Sequence, residues 1–262
     1  MLGFNGGRIG NKNEVTATVA DGLWTPSDHI KQIRNEVWPG FISSIVTSGL
    51  VLNLDAGDIN SYSGSGTTWV DLSGQGNTGT LVNGATYNSA DGGYIQFDGT
   101  DDYVTTNNTL SDADSLFADS GNSWSTGCWF NTSGNGAINI RGGGFGSSTT
   151  YAVYRQSGIL RVRLRGGTVN NIDSNFSNGV WNNIVVTWDG TTSKSYLNGS
   201  FVQNNVVGTV ASQASQFTLG AAGNGSNNRL NGKISQMLVY NRALTASEIT
   251  QNFDAIKGRY GL

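Results

Sequence analysis

From Leu50 onward the chain is cut into short runs of alternating apolar and polar residues, separated by clusters of Gly, Asn, Asp and Ser. The runs include "LVLNL", "YIQF", "YVTT", "WSTGCWF", "YAVYRQ", "ILRVRLR", "WNNIVVTWD", "KSYLNG" and "GKISQMLVYN". A period of two places the apolar side chains on one face of a pleated strand, and the intervening residues are those that tolerate tight turns. The composition agrees: the 262 residues hold 38 glycines and 2 prolines, so turns are cheap and ladder-breaking residues scarce. Apolar residues make up 37%, with many aromatics, enough for a core rather than a disordered tail. An antiparallel set of roughly a dozen strands buries its apolar faces best as two packed sheets. The expected fold is therefore all-β, a two-sheet antiparallel jelly-roll sandwich. Its length suits one domain, and no repeat of solenoid or propeller period is present.

Two segments depart from this pattern. Residues 1–48 hold both prolines and the one histidine, and are predicted to form a separate N-terminal arm with a short helix; the sandwich then spans 49–262. In "LWTPSDHIKQIRNEVWPG", Thr25 has the role of N-cap, Pro26 of first helical residue and Asp28 of dipole partner. Ile30, Ile33 and Val37 make an apolar stripe bracketed by Trp24 and Trp38, and Pro39-Gly40 ends it. This stripe either packs on its own domain or anchors the chain to another subunit. The chain closes with "RALTASEITQNFDAIKGRYGL". There Thr245 and Glu248 have capping-box spacing, Leu244 and Ile249 staple spacing, and Ile249, Phe253 and Ile256 share a face, with Gly258 as the expected stop.

Charge and rare residues exclude several classes. A net charge of −3 and a pI near 5.0 give no basic footprint for nucleic acid. The start "MLGFNGGRIGNKNEV" lacks the basic and apolar regions of a secretory signal, and no apolar run approaches a membrane span, so synthesis in a cytoplasm is expected. Cys128 has no partner for an internal disulfide and reads as a buried, inert thiol. His29 stands alone, without a serine or cysteine motif beside it or companions for a zinc site. The runs "RGGGFGSS" and "GAAGNGSNN" lack the lysine of a phosphate loop and read as rim loops.

Two polar features carry candidate chemistry. "FDGTDDYV" places Asp98, Asp101 and Asp102 in one turn between two runs that would pair as a hairpin. The carboxylates either accept backbone N–H groups or, joined by Asp55 and Asp58 of "LDAGDINSY", provide oxygen ligands for calcium. "ILRVRLRGG" puts Arg161, Arg163 and Arg165 on one strand face, opposite Val162 and Leu164. That row is either a solvated outer face or a dock for an acidic glycan or carboxylate-rich protein surface. Trp124, Trp129, Trp181 and Trp188 lie in strands among apolar neighbours and are expected in the core.

The ordered motifs "GLVLNLDAGDINSY", "TTWVDLSGQGNTGTLVNGATYN", "GGYIQFDGTDDYV", "WNNIVVTWDG", "SKSYLNGS" and "LNGKISQMLVYNRALTASEITQNFDAIKGRYGL" resemble laminin-G-like, concanavalin A-like jelly-roll domains over about residues 49–262. The ending "NFDAIKGRYGL" and the start "GLWTPSDHIKQIRNEVWPG" are similar to versions in tailed-phage virion proteins. The resemblance implies a module that recognises glycans or proteins, often with calcium, in a superfamily that also contains glucan hydrolases. Those hydrolases present paired glutamates from one strand. Here the glutamates are Glu14, Glu36 and Glu248, in the arm and the last helix, so no enzyme is expected. The resulting expectation is a virion structural protein, attached through its arm to other virion proteins and displaying the jelly roll toward a host-surface glycan from a tail fibre. Capsid decoration is the alternative, polysaccharide hydrolysis is disfavoured, and symmetric self-assembly is expected from virion geometry.

Overall fold

The computed structural model describes residues 44–106, 117, 122–142, 151–164, 169–172, 176–206, 216–222 and 227–262. The chain divides into compact units Met1–Ser44 and Ile45–Leu262, and the second holds the sheets. The expected arm helix with Trp24, Ile30, Ile33, Val37 and Trp38 lies outside the described residues, as does Arg165. Residues 45–48, assigned to the arm from the sequence, are tied into the second unit. The Val46 N–H donates to Asn252 Oδ1 at 2.7 Å, and its carbonyl accepts from the Tyr240 hydroxyl at 2.9 Å.

The alternating runs build two antiparallel sheets. The first runs β14 (Ser200–Val206), β13 (Thr192–Leu197), β12 (Trp181–Trp188), β7 (Trp124–Thr132), β16 (Asn231–Tyr240), β5 (Tyr94–Asp98) and β4 (Thr86–Asn88). Because β16 is long, β5 pairs with only its first half, and β1 (Leu50–Asp55) pairs with Gln236–Tyr240 beyond it. The second sheet runs β11 (Val169–Asn171), β10 (Ile159–Leu164), β9 (Tyr151–Gln156), β8 (Gly136–Arg141), β15 (Phe217–Leu219), β6 (Tyr103–Thr106), β3 (Gly79–Val82) and β2 (Thr68–Trp69).

The interior lies between the sheets. Leu52, Phe97, Phe130 and Trp188 from the first meet Val104, Leu160, Val162 and Leu219 from the second. Trp124 sets its edge against Tyr151, and Phe117 stacks on both Tyr151 and Phe217. Cys128 is buried here, as expected, and burial pushes its thiol well above the ordinary range. The strands absent from the runs quoted above are the short β2, β3, β4, β11 and β15, together with β8 and β14. All of β8 is buried, so it shows no alternation to read.

The expected hairpin around "FDGTDDYV" does not form. β5 belongs to the first sheet and β6 to the second, so the turn carries the chain across the sandwich. Both edges of β5 are already occupied, by β16 and β4, and β6 pairs instead with β3 and β15. Hydrogen-bonding capacity on β5, not local turn propensity, decides the outcome.

Helix α1 (Ala246–Lys257) begins as read from the sequence. Thr245 and Glu248 form a reciprocal capping box, and Arg242 clamps the Glu248 carboxylate with two bonds of 2.9 and 2.7 Å. Leu244 and Ile249 pack with Val185, Tyr196 and Leu238 on the outer face of the first sheet. The α-helix stops where expected, at Lys257 with Gly258 as its C-cap, but without the left-handed conformation such a glycine often adopts. Gly258 is right-handed (φ −61°) and leads into a 3-10 turn, Gly258–Tyr260; the left-handed residue is Gly261 (φ 71°). The extra turn brings Arg259 and Tyr260 down onto the sheet.

Candidate functional site

The turn Asp98–Asp102 is organised by its own acids. Asp98 Oδ1 accepts the Thr100 N–H at 2.6 Å, and Asp102 Oδ2 accepts the Asp98 N–H at 3.0 Å. Gly99 is left-handed (φ 81°), and a Cβ there would press on Asn231 Cβ. The Thr100 N–H holds the Asp98 carboxyl below the usual range. Burial, followed by the nearby Asp98 and Asp101 charges, pushes Asp102 above it. The three side chains each offer an oxygen within 4.8 Å of the others. Two oxygens on opposite sides of one calcium ion stand roughly 4.8 Å apart, twice a bond of about 2.4 Å. The donor set therefore fits a hard dication, with backbone carbonyls and water completing its shell. The backbone-accepting reading of this turn is the one its hydrogen bonds display; the calcium reading rests on the spacing of the three carboxylates alone.

Asp55 does not join this group. Its carboxylate receives a two-bond clamp from Arg259, at 2.6 and 3.1 Å, and a third bond from Gln236 Nε2 at 3.0 Å. Asp58 caps its own turn through the Asn60 N–H. The Asp55–Arg259 partnership spans 204 residues and leaves no sequence signal beyond the conspicuous "KGRYGL" ending. Gly57 and Gly92 make room for it: a Cβ on either would overlap the Arg259 side chain.

Asp71 is a further organising residue that the sequence reading missed. It accepts from the backbone N–H groups of Asn53, Ser73 and Asn77 and from the Ser73 hydroxyl, joining β1 to the "DLSGQGN" loop. The Asp-x-Ser spacing was the available signal, since such residues fold their side chains back onto the backbone.

The arginine row divides as alternation requires. Leu160, Val162 and Leu164 enter the core, while Arg161 and Arg163 stand half-buried on the outer face of the second sheet. Arg161 is steered by two neutral amides, donating to Gln156 Oε1 at 2.5 Å and to Asn171 Oδ1 at 3.2 Å. Beside them on β9, Ala152 and Tyr154 are buried. The four tryptophans expected in the core are buried but split between two places. Trp124 and Trp188 lie between the sheets; Trp129 and Trp181 lie under the C-terminal segment, with Tyr260 between their rings at 4.6 and 4.5 Å. None of the four is free to stack on a sugar.

The two-sheet sandwich, with one helix sealing an outer face, defines a lectin-type jelly roll. Residues 98–250, more than half of the chain, match the Laminin_G_3 model, and the protein belongs to the concanavalin A-like lectin/glucanases superfamily. No curated protein matches the chain in sequence. Among solved structures, a Trypanosoma rangeli sialidase mutant with trans-sialidase activity is similar with a TM-score of 0.63 and 13% identity, over 88% of this chain and 36% of the sialidase. The botulinum neurotoxin serotype D binding domain is similar with a TM-score of 0.58 and 14% identity, over 80% of this chain and 52% of that domain. Domain 4 of an extracellular arabinanase from Geobacillus stearothermophilus, in complex with arabinotriose, gives a TM-score of 0.55 and 15% identity, over 80% of this chain and 98% of that domain. The chain thus spans about half or less of the first two. At these identities the likeness is one of fold.

Proposed function

We propose that the protein is a non-enzymatic, lectin-like module that binds a cell-surface glycan as part of a tailed-phage virion, on a tail fibre or similar appendage. The observation that carries the non-enzymatic reading concerns Glu248. It is the sole glutamate of residues 45–262, and both its carboxylate oxygens are engaged by Arg242 while it also caps α1. A retaining glycosidase needs two carboxyl groups about 5 Å apart in a cleft, and the superfamily's glutamate pair has no counterpart on these strands. Glycan binding is supported by the family and by the similarity to a sugar-bound arabinanase domain that this chain nearly covers. The virion setting and the anchoring role of residues 1–48 rest on the similarity of both chain ends to phage virion proteins, and symmetric assembly of copies rests on virion geometry alone.

Asp98, Asp101 and Asp102 would hold calcium when it is present, neutralising three converging carboxylates and stiffening the crossover between the sheets. A glycan array probed with and without calcium tests the binding reading; a folded protein that binds no glycan in either condition overturns it. Immunogold labelling of intact particles tests the location. Gold at the tail supports a host-binding appendage, gold over the head supports capsid decoration, and particles without label remove the virion assignment.

A further inference from the structure

We propose that the rim of the sandwich at Arg155 binds the anionic group of an acidic sugar, a carboxylate or a sulfate ester; this rests on the glycan-binding reading and names its ligand class. The first observation is where β9 directs this side chain. Tyr151 and Val153 enter the interior, and Arg155 follows them two residues on, with the core residue Leu160 as its partner on β10. Its partner on β8 is Gly136, so β8 sets no side chain beside it. The guanidinium ends at the turn after β7, where Nη1 donates to the Ser133 carbonyl and its carbon lies 5.8 Å from the centre of the Phe176 ring.

The second observation is that this cation lacks an acid. Arg155 is 7% exposed, and among the described residues no carboxylate pairs with it. Two other arginines partly drawn out of water carry their own acid: Arg259 holds Asp55, and Arg242 holds Glu248. A cation as deep as Arg155 is costly, because one carbonyl dipole and one ring face replace only part of its lost hydration. Its Nε is buried without a hydrogen bond; Nη2 makes none either, but stays in contact with solvent.

The third observation is that the Nη2 end is open and surrounded by neutral groups. Ser133, Asn135, Gln156, Ser157 and Gly158 are all exposed. Ser157 and Gly158 form the two-residue turn between β9 and β10, and both are left-handed (φ 52° and 83°). A Cβ on Gly158 would lie 3.8 Å from Nη2, so the glycine leaves that nitrogen uncovered. The Gly158 N–H donates to Asn135 Oδ1 at 3.4 Å, which orients that amide with its Nδ2 left to donate. One guanidinium already bonded to a carbonyl matches a single negative charge, and the amides and hydroxyls around it suit the hydroxyl groups of a sugar ring.

The test applies the full chain to an array of uronate-, sialate- and sulfate-bearing oligosaccharides, each beside its carboxyl-reduced or desulfated counterpart, with calorimetry on the best pair. The expected result is at least about a tenfold preference for the charged form, falling with added salt. The stronger of the carboxylate and sulfate series names the group. Arg155→Gln abolishes the preference. So does Gly158→Asp, which sets a carboxylate against Nη2 at a left-handed position that aspartate tolerates. Without any glycan, Gly158→Asp should melt higher than the uncharged Gly158→Asn, because it provides the acid that Arg155 lacks; equal melting temperatures overturn the proposal at its premise. Thermal unfolding also verifies that each variant is folded. Equal binding of charged and neutral forms, or a preference that survives in folded Arg155→Gln or Gly158→Asp protein, overturns the proposal and leaves the glycan-binding reading intact. Failure of the folded wild-type protein to bind any glycan, acidic or neutral, removes that reading and this proposal with it.

Discussion

On the outer face of the first sheet, Trp129 and Trp181 are closed off by Phe253 and Tyr260. On the outer face of the second, Arg161 and Arg163 occupy the corresponding outward positions of an equally regular strand, and Arg161 is held by two solvent-exposed amides. Both faces follow the same period of two. What differs is the residue type set outward: aromatic rings that meet the C-terminal segment on the first face, and half-buried guanidinium groups beside the buried Ala152 and Tyr154 on the second. The C-terminal segment covers the first face with aromatic stacking and then locks it by placing Arg259 against the buried Asp55.

If this contrast is sound, the covered face should dominate stability. Trp129→Ala removes the ring on which both Phe253 and Tyr260 rest, and should lower unfolding free energy by about 3–5 kcal/mol in chemical denaturation. A loss under about 1 kcal/mol would mean that the C-terminal segment contributes little to the fold. Arg259→Ala should cost about 2–4 kcal/mol, because it leaves the Asp55 carboxylate buried beside Gln236 without its cation. The same measurement on Asp55→Asn, which keeps a polar partner for Gln236, should show a smaller loss.

Glu248 links the helix to pH. Its carboxyl is lowered to about 2, first by the Arg242 hydrogen bonds and then by the Thr245 N–H. A depressed carboxyl stabilises the folded state above the unfolded value near 4.5, and that contribution disappears as pH falls toward 2. With partial exposure screening the pair, Glu248→Gln should lose about 1 kcal/mol near neutral pH and almost nothing near pH 2. A gap between the two proteins that stays constant across this range would contradict the assignment.

Asp102 should behave with the opposite sign. Burial raises its carboxyl, so without calcium its ionisation opposes folding, and the cost grows as pH rises through the folded value. Asp102→Asn should therefore raise the melting temperature near neutral pH in chelator, with the gain shrinking in acid. Added calcium should stabilise the wild type and leave the variant little changed. If calcium shifts both proteins alike, the turn is structural only. The smallest expected effect belongs to Arg161, half-buried and bonded to exposed amides: Arg161→Gln should change stability by no more than about 0.5 kcal/mol, which thermal unfolding can establish.

Much of the fold was legible because it is local. The runs now seen as β9, β10, β12 and β16 alternate or are continuously apolar, and the capping box of α1 spans three residues. The grouping of Asp98, Asp101 and Asp102 was legible for the same reason. The Asp55–Arg259 clamp was not: it joins β1 to the chain's last turn, and no periodicity connects them. The four tryptophans were correctly expected to be buried, yet nothing local says that two face the interior and two face the helix. That depends on which sheet surface the C-terminal segment covers.

The sequence by itself determined the strands, the capped helix, the acidic turn and the outward direction of Arg161 and Arg163, since each follows from spacing within a few residues of backbone. Only the tertiary structure decided that β5 and β6 part into different sheets, that Asp55 serves Arg259 rather than the acidic turn, and that a 3-10 turn closed by Gly261 follows the helix stop at Gly258. The physical reason is shared by all three. A strand edge, a carboxylate or a helix end has limited bonding capacity, and partners distant in sequence claim it when the chain folds.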